Sequence, residues 1–185
     1  MPPADLAVFT VVYLIVGTLA LGAVSAAPWV RTRRRQRDFI ASRLDLKEGA
    51  KVYDLGCGDG AVLFSLARRH PTAKAVGYEI AFLPLAIGYA MKAAGGAAYR
   101  NVSLRCRDFF GTDLSDADAV FVFLLEESYP RVVRKLAAEL RDDAQVVVAA
   151  WALPGIEAER SERGAPDLLP VYFYRAAQLR ARPSV

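Results

Sequence analysis

The 185-residue chain has little cysteine or histidine: two cysteines, Cys57 and Cys106, and one histidine, His70. Two cysteines so far apart announce neither a disulfide scaffold nor a zinc site, and the plain reading is two small buried hydrophobes. His70 precedes Pro71 at an expected helix end, where capping or a surface role outweighs catalysis. No metal site is expected. Charge is missing altogether from residues 6–30, LAVFTVVYLIVGTLALGAVSAAPWV, and Asp5 is the only charged side chain before Arg31. A basic excess is missing from the remainder. Of 24 basic and 20 acidic side chains, five and one fall in residues 1–37, which leaves 19 of each in 38–185. That balance excludes a broadly basic nucleic-acid-binding face. Internal repeats and low-complexity tracts are also lacking.

What is present begins with the uncharged run. Its 25 residues exceed the roughly 20 needed to cross a hydrocarbon core as a helix. A cleaved signal peptide would carry a basic leading region and a shorter apolar stretch. A helix apolar on every face is hard to cover in so small a domain. A single transmembrane helix is therefore expected. RTRRRQR follows at 31–37, with five arginines in seven residues. The excess places the rest of the chain on the cytoplasmic side, with the arginines against anionic headgroups at about 1 kcal/mol each. No basic amphipathic presequence leads the chain, which favours a prokaryotic plasma membrane over a mitochondrial one.

The remainder alternates strand and helix patterns. A helical pattern covers 33–45. Strands are expected at 51–55, 74–79, 102–106, 118–125 and 144–151, and helices at 60–69, 81–94 and 129–140. Runs such as AVFVFLL and QVVVAAW are continuously apolar, as in parallel strands buried on both faces. After Trp151 the rhythm breaks into Pro/Gly punctuation, followed by a weak strand near 156–162 and a firm one at 171–175, VYFYR. The expectation is an α/β fold whose seven-stranded, mostly parallel sheet ends in an antiparallel hairpin, with a loose tail at 177–185.

DLGCGDG, residues 54–60, joins the first strand to its helix. Glycines at such a junction allow a tight turn and close approach of a ligand. The spacing is G-x-G-x-G rather than the G-x-G-x-x-G of dinucleotide sites. Asp54 stands two residues before the first glycine, where it would repel a pyrophosphate and attract a cation. Glu79 ends the second strand and suits ribose hydroxyls, in NAD sites as much as elsewhere. Asp108 follows the third strand in RCRDFF.

Together these residues resemble the D-x-G-x-G-x-G pattern of class I, Rossmann-like S-adenosylmethionine-dependent methyltransferases, over roughly 46–175. The resemblance implies cofactor contacts at Asp54, Gly56, Cys57, Gly58, Gly60, Glu79, Ile80, Asp108 and Phe109. Glu79 would take the ribose, Asp108 the adenine amino group, and Phe109 the ring, with Phe110 close behind. Asp59 is assigned to the turn or the ligand rim. A closer resemblance, to the membrane-anchored protein-lysine N-methyltransferases of the ADP/ATP translocase and the ATP synthase c-subunit and their prokaryotic relatives, rests on PWVRT at 28–32, YDLGCGDGAV, AVGYEI, RKLAAELRDDAQVVVAAWALPG and LPVYFYR. It implies a membrane anchor over 1–30, a basic connector over 31–45, a methyltransferase domain over 46–176, and a membrane protein presenting a lysine as partner. Arg31 stands where that family prefers proline. Ala81 and Phe82 alter the loop after the ribose acid, and Glu126 and Glu127 replace a proline and a polar residue beside the acceptor pocket. The Asn/Asp-Pro-Pro-Tyr/Phe sequences of base and glutamine methyltransferases are absent.

A lysine must be neutral to attack, although its free pKa is about 10.4. Glu126 or Glu127 would steer the ammonium and accept its proton, with Tyr129 and Trp151 lining the channel. Both glutamates equally suit the N-terminus of a helix. Two other readings stay open: methylation of a lipid-phase small molecule such as a quinone precursor or phospholipid amine, and a non-catalytic membrane interaction protein that retains the ligand fold.

Overall fold

A computed structural model describes residues 5, 6, 8–10, 12, 13, 16, 17 and 31–180. Most of the membrane span read over 6–30 thus lies outside the described residues. Those described before residue 18 are helical and expose apolar side chains, including Leu6, Phe9 and Tyr13. Among the described residues no helix is long and apolar enough to cross a membrane.

Helix α1, Arg34–Arg43, leads into strand β1, Lys51–Leu55. Then follow α2 (Ala61–Arg69), β2 (Lys74–Glu79), α3 (Phe82–Gly95), β3 (Val102–Cys106), β4 (Ala119–Val122), α4 (Tyr129–Glu139), β5 (Gln145–Ala149), β6 (Arg160–Glu162), β7 (Val171–Arg175) and α5 (Ala176–Arg180). The strands form one seven-stranded sheet in the order β3-β2-β1-β4-β5-β7-β6. The first five are parallel, whereas β7 runs antiparallel to both β5 and β6. The chain steps outward from β1 to β3 on one side, then returns to β4 on the other. That reversal between β1 and β4 is where open α/β sheets hold ligands, outside the carboxyl ends of their strands.

Alternation along the strands splits the core into two layers. Tyr53, Leu55, Val120, Val122, Val146 and Val148 pack with Val132 and Leu136 of α4. Val52, Ala75, Phe121, Val147 and Phe173 pack on the opposite face with Ile40 of α1 and Leu63 and Leu66 of α2. Helix α2 ends where expected: the His70 amide donates to the Leu66 carbonyl at 2.7 Å, and Pro71 follows. The imidazole Nε2 lies 3.1 Å from the Ala41 carbonyl, so His70 ties α2 to α1.

Three local expectations change. The strand read at 118–125 is only Ala119–Val122, and residues 126–128 form a 3₁₀ turn. The strand read at 144–151 stops at Ala149, because Ala150 adopts φ 76° and turns the chain out of the sheet. Its amide is held by the Pro170 carbonyl at 2.9 Å. The described part of the tail is helical rather than loose: α5 packs on α4 and buries Ala176 and Leu179.

Lys135 was not singled out by its sequence context. Its Nζ is buried and donates to the Thr112 carbonyl at 2.5 Å and to Glu139 Oε1 at 2.6 Å. Glu139 Oε2 in turn accepts from the Leu114 amide at 3.0 Å. The pair staples the segment after β3 onto α4. A Lys135→Met substitution leaves a carboxylate and a carbonyl short of their partner and is expected to cost about 2–4 kcal/mol. Urea unfolding would show this; a cost under about 0.5 kcal/mol would contradict the staple.

Candidate active site

The glycine turn sits at the carboxyl end of β1, beside the β1/β4 reversal. Gly56, Gly58 and Gly60 have φ of 77°, 55° and 74°, a region that L side chains avoid. The Gly56 and Cys57 amides both donate to the Tyr78 carbonyl at 2.9 Å, and the Gly60 amide to the Cys57 carbonyl at 2.8 Å. Helix α3 approaches closely: a Cβ on Gly88 would lie 2.8 Å from the Asp59 carbonyl oxygen. Cys57 turns its thiol beneath the turn, where burial and then the charge of Asp54 push it well above its usual pKa.

Glu79 closes the turn from β2. Its Oε2 accepts from the Gly58 amide at 2.9 Å, and its Oε1 accepts from the Ile80 and Ala81 amides at 2.8 and 2.7 Å. Asp54 is 3% exposed, and no donor to its carboxylate is present among the described residues. Burial, then the charges of Glu79 and Asp59, push its pKa up to about 8. Asp59 is equally buried; its Oδ1 accepts from the Ala61 amide at 3.2 Å, at the start of α2. Three carboxylates therefore share one pocket of the fold.

The other predicted residues spread along the same edge of the sheet. Glu79 pairs in register with Cys106, so Asp108 stands two residues beyond it. Asp108 Oδ1 accepts from the Phe110 amide at 2.9 Å, and the side chain is otherwise exposed. Phe109 is buried in the core, with its ring centroid 4.3 Å from that of Phe110. Phe110 is the more open ring, and the Arg131 guanidinium lies 3.6 Å above it. Phe109 thus does not offer a free ring face. Glu126 and Glu127 are exposed in the 3₁₀ turn before α4. Trp151 is 41% exposed just past β5. Tyr129 has no exposed surface; its hydroxyl faces the Ala149 carbonyl at 3.4 Å, and burial raises its pKa. It backs the site from within the core and does not line an open channel. The bulk of a tyrosine after β4 signals burial as readily as channel lining.

The model of the ANTKMT methyltransferase domain family matches residues 54–160. The chain belongs to this family. A protein-lysine N-methyltransferase of Saccharolobus islandicus is 35% identical over 132 residues, covering 71% of this chain and 81% of the relative. The adenine nucleotide translocase lysine N-methyltransferase of Mus musculus is 32% identical over 128 residues, covering 69% of this chain and 54% of the relative. The ATP synthase c-subunit lysine N-methyltransferase of Homo sapiens is 28% identical over the same length and is covered to 53%. The chain thus spans about half the length of these mammalian relatives. In structure it is similar to an RNA methyltransferase from Salinibacter ruber in complex with S-adenosyl-L-homocysteine, with a TM-score of 0.73 and 26% identity, covering 80% of this chain and 94% of that one.

The protein is an S-adenosylmethionine-dependent methyltransferase. Its turn fits that cofactor. Burial, then the charges of Glu79 and Asp59, hold the Asp54 carboxyl protonated near neutral pH, and a cationic ligand would favour its ionised form. Three glycines at positive φ leave the backbone bare beside it.

Proposed function

We propose that this methyltransferase transfers a methyl group to a lysine side chain of a membrane protein, from the cytoplasmic side of a prokaryotic plasma membrane. The observation that carries the reading is its 35% identity to a protein-lysine N-methyltransferase across 81% of that protein. The lysine-directed relatives named for the translocase and for the ATP synthase c-subunit support it.

The cofactor supplies an activated methyl group on a sulfonium. Asp54 would pair with its cationic end, Glu79 would hold the ribose through lone pairs left by the three amides, and Asp108 would mark the adenine end. Among the residues read as catalytic, Glu126 and Glu127, exposed in the turn before α4, would attract an incoming ammonium and accept its proton. Trp151 offers an apolar wall that favours the neutral amine by desolvation. Positioning does most of the remaining work, since in-line displacement asks for alignment more than for acid or base strength. A net charge of zero over 38–185 disfavours an RNA acceptor.

The uncharged 6–30 run and the arginines after it support a single membrane span. Exposed apolar side chains on the described helical residues before 18 fit a lipid-facing segment. Tethering would raise the effective concentration of enzyme around membrane substrates. Mass spectrometry of membrane proteomes with and without the protein tests the proposal. Loss of methylation at a specific lysine is expected; methyl label found only in solvent-extractable lipid would overturn it.

A further inference from the structure

The acidic pocket of the cofactor turn has a cation of its own, and it comes from outside the domain. Arg31 is the first residue after the uncharged run. Its Nε lies 2.6 Å from Asp59 Oδ2, and its Nη2 lies 3.4 Å from Met91 Sδ on α3. Asp59 Oδ1 already serves the Ala61 amide. Asp59 Oδ2 is buried and has no aligned hydrogen-bond donor among the described residues, so its contact with Arg31 is ionic. We propose that Arg31 is a positioning residue of the cofactor site, which pins the connector to the glycine turn and offsets the charge of Asp59 so that Asp54 can face the cofactor as an anion. The inference rests on the reading of this turn as the S-adenosylmethionine site.

Among the described residues, Arg31 is the cation paired with Asp59. Around Asp59, strand β1 contributes Asp54, β2 contributes Glu79, and the turn contributes the Cys57 thiol; all are acidic or neutral. Helix α2 contributes the Ala61 amide, and α3 contributes Gly88, with Met91 against Arg31 itself. The charge of Asp59 also bears on Asp54, where it adds to burial and to Glu79 in favouring the protonated form. Take Arg31 away and that repulsion is no longer offset. The cofactor then has to displace a proton that Asp54 holds more firmly.

The full chain tests this. S-adenosylmethionine binding would be measured by titration calorimetry from pH 6 to 9 in the unaltered protein, Arg31→Gln, Arg31→Lys, Asp59→Asn and the Arg31→Gln/Asp59→Asn double variant. In Arg31→Gln the pH midpoint of binding is expected to rise by about half a unit or more, with affinity at pH 7 reduced by about 3–10-fold. Arg31→Lys should recover most of both. Asp59→Asn keeps an acceptor for the Ala61 amide and should lower the midpoint. In that background Arg31→Gln should change little. Urea unfolding without cofactor gives a second reading: the destabilisation by Arg31→Gln should grow from pH 5 to pH 8, whereas loss of a merely structural contact would be constant. An unshifted midpoint in Arg31→Gln, or an equal shift with and without Asp59, would overturn the role of Arg31. Failure of the unaltered chain to bind S-adenosylmethionine would overturn the reading of the turn itself, and the role of Arg31 with it.

Discussion

Asp54→Asn is expected to weaken S-adenosylmethionine binding by about 100-fold or more while making the cofactor-free protein more stable at pH 8. Both effects come from one buried carboxylate. Asp54 is 3% exposed and has two acidic neighbours, and its pKa is pushed from 3.8 up to about 8. Ionising it without a cation is therefore unfavourable. Because its pKa is raised on folding, the folded chain holds this proton more tightly than the unfolded one. The stabilising contribution is complete below pH 3.8 and is lost as pH rises through about 8. Each tenfold difference in proton affinity between the folded and unfolded chain is worth about 1.4 kcal/mol. An asparagine never ionises, so the variant should be clearly more stable than the unaltered protein at pH 8 and little changed at pH 4.

A cationic ligand reverses the balance. Removing one partner of a buried ion pair costs about 3–5 kcal/mol, which corresponds to at least a hundredfold in affinity. In the unaltered protein, binding should tighten as pH rises from 6 towards 8, by up to about tenfold per pH unit. In Asp54→Asn that dependence should vanish. Titration calorimetry and urea melts at several pH values would show both effects. A variant that binds within twofold of the unaltered protein would remove Asp54 from the site.

Glu79→Gln is expected to lose cofactor affinity as well, by about 30-fold or more, but with the opposite effect on stability. Glu79 accepts three backbone amides, from Gly58, Ile80 and Ala81. Bonds of this kind to a charged acceptor contribute about 1.5–3 kcal/mol each. Glutamine keeps one acceptor oxygen and points an NH2 group at amides that themselves donate. The turn should loosen, at a cost of about 2–4 kcal/mol, and the affinity falls because Gly58 and the ribose acceptor move together. Removing the Glu79 charge also relieves Asp54, so the pH midpoint of binding should move down. The opposite signs of the two stability changes separate the roles: Asp54 is a buried carboxyl that resists ionisation, whereas Glu79 is bonded into the fold through three amides. A Glu79→Gln protein as stable as the unaltered one would contradict this.

The order of the elements was legible because its signals are local. Apolar runs of four to eight residues mark buried strands wherever they fold, and the break in rhythm after Trp151 marks the change to the antiparallel β7 and β6. The start of the tail was misread because AAQLR is too short a stretch to show a period. Its order comes from Leu179 and Ala176 meeting α4, a contact that no local pattern contains. The same holds for Phe109 and Tyr129. Each follows a strand at the ligand edge, yet each ring turns inward, because the direction of a side chain after a strand depends on which neighbour leaves space.

For the chemistry, the family resemblance carried by DLGCGDG, then Glu79, then Asp108 was enough to indicate the methyl donor. In a parallel sheet every strand delivers its carboxyl end to the same edge, so residues that end successive strands must meet. How they meet was decided by the tertiary structure. Asp54, Asp59 and Glu79 form one electrostatic cluster only because β1 and β2 pair with Asp54 beside Gly77. Arg31 joins the site through its 2.6 Å contact with Asp59, and Lys135 fixes the segment after β3 through its 2.5 Å contact with the Thr112 carbonyl. Periodicity and turn chemistry are properties of neighbours along the chain. Proton affinity and charge balance depend on separation through space and on exclusion of water, and those exist only once the chain has folded.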